Sequence, residues 1–419
     1  MSVTPEFSQL EQLLATRDEA RLLPGLERIR DALASLGNPQ RYFPSVLVLG
    51  TNGKGSTCAF LESLLRASGL RVGLYTSPHL VRVEERIRIA GSPVATDKLL
   101  AWVRRLSHFA PLSYFETLTA AAFALFAENR VDFAVIEAGL GGRWDATNVK
   151  DHEVVLLTNV GTDHQAWLGP TREHIAAEKA AAIRGKAGIL GEWDPELLPL
   201  FRAHAQPGIP LFPADHWARL RCLPSNDPWF PQVQAEAFGE QWEVTLPLAG
   251  QFQVRNYHLA LAALSCLNQL GLAPRPSAVA LVNATKATFW PGRCEFVTWR
   301  GRRLLLDGAH NREAMEALVA TIKRAGVSGE VDLIFACLDD KPLKAMADLL
   351  LPVVRKVTVV PLTSPRARSI HDLAQVFPSC ATASSLVEAL AATAVDRVTL
   401  VTGSLRLVGE VQAILEYQS

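Results

Sequence analysis

The sequence predicts an α/β protein of two units, each a mostly parallel sheet covered by helices on both faces. Three observations predict it. Short apolar runs alternate with segments of helical period, the alternation restarts near residue 303, and Pro291-Gly292-Arg293 separates the two stretches. With 419 residues, 49% of them hydrophobic, the chain is long for one core and ample for two.

The first 40 residues alternate apolar and charged positions at helical spacing and close at Gly37-Asn38-Pro39. Residues 45–49 form a buried-strand pattern that enters a glycine turn, and residues 56–67 carry helical spacing closed by Ser68 and Gly69. Residues 71–75 read as strand, 115–128 as helix, 131–136 as a strand ending at Glu137, 153–158 as strand and 172–183 as helix. The stretch 191–250, with several prolines and tryptophans, is expected to hold late strands and surface loops. A helix is expected over 256–270. Beyond the break, 303–306, 331–336 and 356–360 read as strands, and 312–325 and 342–351 as helices. Two segments near 383–392 and 397–401 complete the second unit. Domains of 1–292 and 293–419 follow.

Composition weighs against several classes. Lysine plus arginine and aspartate plus glutamate number 42 each, so the basic surplus that grips a nucleic-acid backbone is missing. Charged residues interrupt every apolar stretch before it reaches a membrane span of about 18 residues. The N-terminal segment lacks a basic start followed by an apolar core, so no secretory signal is read there. The six cysteines are scattered without short paired spacing, which reads as buried filler rather than a zinc site or a disulfide framework. A soluble cytoplasmic enzyme is expected.

The sharpest local pattern is Gly50-Thr51-Asn52-Gly53-Lys54-Gly55-Ser56, between a strand and a helix. Glycines let backbone approach a phosphate, and the helix start supplies N–H groups and positive potential. Lys54 would neutralise the β and γ phosphates, and Ser56 would offer a hydroxyl to magnesium. The spacer is shorter than in the usual phosphate-loop pattern and Gly55 follows the lysine, so a glycine-rich turn with a surface lysine is the alternative. Glu137 ends an apolar strand, where a carboxylate reaches an α/β crevice.

Further motifs follow in order: Ser77-Pro78-His79-Leu80, Glu137 to Arg143, Asp163-His164, Glu178-Lys179, and Asp307-Gly308-Ala309-His310-Asn311. With the phosphate loop they resemble folylpolyglutamate synthase and dihydrofolate synthase, of the Mur ligase superfamily. The resemblance extends over nearly the whole chain, to Thr402-Gly403-Ser404-Leu405. It implies a Mur ligase-like fold, with a P-loop ATPase domain and a smaller Rossmann-like C-terminal domain. It also implies an ATP-dependent amide ligase of folate biosynthesis and one-carbon metabolism. Such enzymes phosphorylate a carboxylate, then let the amine of L-glutamate attack the acyl phosphate. The implied acceptors are tetrahydrofolate and its polyglutamates, with 7,8-dihydropteroate as a further one. The implied protein is a monomer without nucleic-acid or membrane partners. The competing expectations are another Mur-type ligase acting on a non-folate carboxylate, and a phosphate-loop switch protein.

The resemblance also assigns residues. Gly50 to Ser56 would hold ATP, with Asn256 on adenine, Arg293 on phosphate and Asp307 on ribose. Two magnesium ions are implied: Ser56, Ser77 and Glu137 would serve one, His164 the other. Lys179 would be carbamylated beside the second ion. Lys54, Lys179, Arg293 and His164 form the implied catalytic set. Ser77, Pro78, His79, Leu80, Arg82, Phe115 and Arg143 would surround the pterin. From the residues alone, Asn256 could equally cap a helix, Phe115 belong to the core, Arg293 form a linker ion pair, and Lys179 be solvated. Three positions depart from the pattern: Ala181 for a common glycine, Tyr257 for alanine and Arg312 for proline.

Overall fold

The computed structural model describes residues 5–17, 25–109 and 111–418. Its largest sheet has eight strands, in the order Ser92–Pro93, Ile87–Ile89, Val72–Tyr75, Phe133–Glu137, Ser45–Leu49, Val154–Leu157, Ala187–Leu190 and Leu211–Pro213. Neighbours run parallel except at the first two pairings, where the Ile87–Ile89 strand is antiparallel to both its partners. The central strand Ser45–Leu49 is buried at every position, as expected where helices cover both faces. Its side chains alternate between two apolar cores. Val46 and Val48 join the core around Phe60 and Tyr257, while Leu47 and Leu49 join the one around Phe123 and Phe126.

A three-stranded antiparallel sheet follows, Arg219–Leu223, Gln232–Ala237 and Glu240–Thr245. The second unit is a six-stranded sheet in the order Glu295–Trp299, Arg302–Leu306, Val398–Thr402, Val331–Phe335, Val354–Val359 and Ala381–Thr382. Only its first pairing is antiparallel. The helices Arg312–Arg324, Leu343–Leu350 and Leu405–Gln418 belong to it.

Several boundaries differ from the sequence expectation. The phosphate-loop helix begins at Lys54 rather than residue 56, so the lysine is its first residue. The helix expected from 256 begins at Phe252, with Gln251 at its N-cap. Asn256 therefore sits in the second turn and is no cap. The helices Thr96–Leu106, Leu198–His204 and Ala278–Ala287 lie where no helix was expected. Cys58, Cys266, Cys294 and Cys337 are buried fillers, but Cys222 is exposed. Among the described residues no helix is long and apolar enough to cross a membrane.

Two helices hold the phosphate-loop face together. Lys54–Ala67 and Phe252–Gln269 meet at Phe60 and Tyr257, whose rings pack edge to face with centroids 5.3 Å apart. Tyr257 is fully buried, and its phenol oxygen accepts from Thr285 at 3.2 Å. Its place is therefore in the core, not on a nucleotide ring. Tyr257→Ala should lower unfolding free energy by about 3–5 kcal/mol through the cavity it leaves, and Tyr257→Phe by about 1 kcal/mol through the lost hydrogen bond. Chemical denaturation checks both, and equal losses would contradict this packing.

Candidate active site

The central strand lies between two parallel neighbours, Phe133–Glu137 and Val154–Leu157. Their C-terminal ends open one crevice, the usual ligand position in such a sheet. Gly50 and Gly53 turn the chain there with φ of 143° and 83°. Neither has room for a side chain. A Cβ on Gly50 would lie 1.8 Å from Thr158 Oγ1, and one on Gly53 would lie 2.4 Å from Asn256 Oδ1. Asn159 Oδ1 accepts from the Thr51 and Asn52 backbone N–H groups at 3.3 and 3.0 Å. Thr158 Oγ1 donates to the Asn52 carbonyl at 2.6 Å. The loop is thus fixed from behind, and it leads into a helix N-terminus, an arrangement that receives anions.

Lys54 curls over this loop, donating to the carbonyls of Gly50 at 3.2 Å and Thr51 at 3.3 Å. Lys179, only 3% exposed, donates to the same Gly50 carbonyl at 3.0 Å. The solvated-lysine alternative therefore falls. Burial, reinforced by the charge of Lys54, brings the Lys179 ammonium down to about 7. A narrow cleft faces these groups, lined by Gly50, Lys54, Gly139, Asp163, His164 and Lys179 among others.

Glu137 stands at the end of its strand, 4% exposed, and accepts from the Ser77 backbone N–H at 3.0 Å. Burial pushes its carboxyl up, against the pull of Lys54, the Ser77 amide, Arg293 and Arg86. Ser56 is 3% exposed in the first turn of the phosphate-loop helix. Among the described residues no three His, Cys, Asp or Glu side chains converge on one point. Magnesium commonly takes one or two protein carboxylates and completes its shell with water and phosphate oxygens. A buried, incompletely compensated carboxylate beside a phosphate loop fits that need.

The glycine loop after Glu137 is built on two supports. Asp145 accepts from the Leu140 N–H at 2.8 Å and from the Thr147 N–H at 3.0 Å. Gly142 presses on the carbonyls of Glu178 and Lys179, where a Cβ would come within 2.9 Å of both. Arg143 donates its N–H to the Glu178 carbonyl at 3.0 Å and pairs with the Glu178 carboxylate at 3.2 Å. Phe115 lies beneath Gly139, within 2.7 Å of a Cβ built there, and 5.8 Å from the Tyr75 ring centroid. It floors the loop.

The second unit closes the crevice. Asp163 Oδ1 pairs with Lys341 at 3.2 Å, and Oδ2 lies 3.5 Å from His310 Nε2 and 3.1 Å from Asn311 Nδ2. His164, exposed and with φ of 61°, stands 3.8 Å from the same carboxylate. Asn52 and Asn311 exchange amide hydrogen bonds at 3.0 and 3.3 Å. Glu313 accepts from the Thr162 N–H and Oγ1 at 3.0 and 2.9 Å. Asp307 accepts from the N–H groups of Cys294 and Ala309, both at 2.9 Å. Burial raises its carboxyl, and Arg293 is the first charge opposing that rise.

Other expected positions are engaged locally. Asn256, 8% exposed, donates to Gln253 at 2.8 Å. His79 Nδ1 accepts from Arg86 at 2.8 Å, and Arg82 pairs with Glu84 at 3.2 Å. Pro78 is exposed beside them. Sequence reasoning did not single out Thr158, Asn159, Glu313 or Lys341. Lys341 had a signal, a charged Asp339-Asp340-Lys341 run after the strand Val331–Phe335.

Burial works against the Asp163 carboxylate, but His310, His164 and Lys341 outweigh it and hold it well below the usual range. Its contribution to stability is therefore full above the unfolded carboxyl value of about 4 and is lost as pH falls below it. Asp163→Asn should lower the melting temperature at pH 7 and flatten the acid limb of the stability curve. Thermal melts between pH 2 and 7 check this, and an unchanged acid limb would contradict it.

Comparison with known proteins agrees with this geometry. Residues 48–188 match the Mur ligase middle domain, and residues 292–405 match the Mur ligase glutamate ligase domain. The chain is 34% identical over 365 residues to the dihydrofolate synthase/folylpolyglutamate synthase of Bacillus subtilis, covering 84% of each. It resembles the structure of Mycobacterium tuberculosis folylpolyglutamate synthase complexed with ADP and AMPPCP, with TM-score 0.87, 30% identity and 98% of both chains covered. It also resembles the bifunctional folylpolyglutamate synthase/dihydrofolate synthase of Yersinia pestis complexed with AMPPNP and a Mn ion. There the TM-score is 0.84 at 30% identity, over 99% of both chains. On this agreement of sequence, fold and crevice, the chain belongs to the dihydrofolate synthase/folylpolyglutamate synthase family of Mur ligases.

Proposed function

We propose that this chain is an ATP- and magnesium-dependent ligase that adds L-glutamate to tetrahydrofolate and its polyglutamates, and to 7,8-dihydropteroate. The observation that carries the proposal is the Gly50 carbonyl with Lys54 and Lys179 upon it, set beside buried Glu137 in a crevice closed by the second unit. A carboxylate is a poor electrophile at neutral pH. Its oxygen attacks the γ-phosphorus of ATP, ADP leaves, and the acyl phosphate now carries a leaving group. The amine of glutamate attacks the acyl carbon, phosphate departs, and the amide nitrogen releases a proton. Anionic charge gathers at the phosphoryl group in the first step and on the tetrahedral oxygen in the second, so fixed cations stabilise both.

In this scheme Gly50, Thr51, Asn52, Gly53, Lys54, Gly55 and Ser56 hold the phosphates. Asn256 faces the adenine, Asp307 the ribose, and Arg293 the terminal phosphate. Ser56, Ser77 and Glu137 would hold one magnesium ion, and His164 with carbamylated Lys179 would hold another. Bound magnesium supplies Lewis acidity toward phosphate oxygens. Ser77, Pro78, His79, Arg82, Phe115 and Arg143 form the wall for the pteridine acceptor, with Leu80 inside that loop. Domains 1–292 and 293–419, a monomer and a cytoplasmic location complete the proposal.

Supplying ATP, magnesium and labelled glutamate with either dihydropteroate or tetrahydrofolate tests the activity. Label is expected in both products. Label in neither, with ATP use driven by another carboxylate, would reject the folate acceptors in favour of another Mur-type ligase. Label in tetrahydrofolate alone would reject the dihydropteroate activity.

Lys179 provides a pH test. A free amine attacks carbon dioxide, forming an N–C bond and releasing one proton, and only the unprotonated amine can do so. With its ammonium near 7, carbamate should increase between roughly pH 6 and 8. In ¹³C-bicarbonate the enzyme should show a carbamate carbon resonance that Lys179→Ala abolishes. That variant should lose about a hundredfold in kcat or more. Unchanged turnover, or a resonance that persists in the variant, would remove Lys179 from the site.

A further inference from the structure

The loop that carries Ser77 to Arg82 is gripped from two sides. From its own unit, the Glu85 carboxylate accepts from three consecutive N–H groups, Leu80 at 2.8 Å, Val81 at 2.9 Å and Arg82 at 2.6 Å. One end is tied to the crevice, since the Ser77 N–H donates to Glu137 at 3.0 Å. From the other unit, the helix Leu405–Gln418 comes so close at Gly409 that a Cβ there would lie 2.1 Å from the Leu80 carbonyl oxygen and 2.9 Å from its carbon. The Leu80 side chain reaches the other unit. It packs on the second unit's apolar core, which includes Leu306, Val401 and Val408, and it lies 3.2 Å from a Cβ built on Gly292.

These contacts have a cost that local structure does not explain. Glycine inside a helix is unfavourable relative to alanine, because it adds backbone freedom in the unfolded chain and packs nothing. Gly409 lies well inside its helix and is buried. Only the approach of Leu80 backbone forbids a larger residue: the atoms it would meet are main-chain atoms, which cannot rotate aside. The Glu85 bonds keep the loop from yielding, since displacing Leu80 would pull three N–H groups from one carboxylate.

We propose that Leu80 is a positioning residue. Seated against Gly409 and the second unit's core, it makes the conformation of the Ser77–Arg82 loop depend on the docking of the second unit. Acceptor binding and unit docking then form one linked equilibrium, because whatever favours the docked loop favours both. The chemical target is the carboxylate acceptor held by this loop, resting on the acceptor role proposed above, and not the nucleotide held by residues 50–56.

Gly409→Ala gives an experiment in which the alternatives differ in sign. Helix propensity alone would make the alanine variant more stable, with unchanged kinetics. The coupling instead raises KM for tetrahydrofolate by about tenfold or more while KM for ATP stays within about twofold. Leu80→Ala should reproduce that selective change, and Leu80→Met, which keeps side-chain volume, should restore most of it. The double variant Gly409→Ala/Leu80→Ala should add little to either alone, because both remove one contact. Amide exchange measured without substrate gives a readout independent of activity. In Gly409→Ala the N–H groups of residues 80–82 should exchange about tenfold faster or more, with those of residues 50–56 unchanged. Unaltered exchange at 80–82, or a KM change shared equally by ATP, would overturn the proposal. If the native enzyme ligates no pteridine, the acceptor assignment fails, and the exchange result alone still decides whether Leu80 couples the units.

Discussion

Two lysine side chains meet on one peptide carbonyl, that of Gly50, and much of the crevice follows from that meeting. Lys54 reaches it from the helix that begins after the loop, at 3.2 Å, and Lys179 from a helix far along the chain, at 3.0 Å. Two cations this close repel each other unless anions intervene or one loses its proton. The protein uses burial to tilt the balance, so Lys179 titrates near neutrality while Lys54 keeps its place over the phosphate loop. The carbonyl can sit there only because Gly50 adopts a positive φ and presses on Thr158, with no space for a side chain. Strand end, glycine and lysine pair are therefore one construction. Asp145 and Asp163 offset part of the charge on Lys179, and in the function proposed above a polyphosphate would offset more.

The second unit is attached at two places of different chemistry. Beside the phosphate loop the contacts are polar: the Asn52–Asn311 amide exchange, Glu313 on Thr162, and Asp163 among Lys341, His310 and Asn311. Beside the Ser77–Arg82 loop they are apolar and close, with Leu80 against Gly292 and Gly409. Asn311 and Lys341 are buried, so removing one partner of the Lys341–Asp163 pair would leave a charge poorly solvated. At Gly409 the contact is with main-chain atoms of Leu80, which cannot rotate aside.

Much of this was legible in the sequence because it is local. The strand at 45–49, the glycines after it and the helical spacing beyond are adjacent along the chain, and each reports its own backbone requirement. Contacts made at long range were not legible. Lys341 acquires its meaning from Asp163, 178 positions away, and nothing near either residue announces the pairing. The resemblance puts Leu80 in the acceptor loop, and nothing local announces that its side chain also packs on the other unit's core. The residues alone left Asn256 open as a helix cap, but the helix begins at Phe252. In the stretch expected to hold late strands, Gln232–Ala237 and Glu240–Thr245 alternate between buried and more exposed positions, whereas Arg219–Leu223 does not, and Pro224, Pro228 and Pro231 interrupt the sequence between them.

The three departures from the family pattern show what the site requires. Tyr257 turns into the core against Phe60, so its size is absorbed by helix packing rather than by the crevice. Arg312 is exposed and pairs with Glu316 at 2.9 Å. Proline at a first helical position is useful for its fixed φ and because its N–H is not needed. Here Asn311 already secures the helix start, accepting from the Ala314 N–H at 2.9 Å. The same Asn311 oxygen accepts from Asn52, so the cap that orders this helix also bridges the units. Ala181 stands at the C-cap of the Lys179 helix with φ of −63°, a conformation that does not call for glycine. In each case a side chain changes where backbone geometry is already set by a neighbour. The positions that cannot change in this way are those where the backbone itself is packed against a neighbour: Gly50, Gly53 and Gly142, each pressed against an atom that leaves no volume for a Cβ.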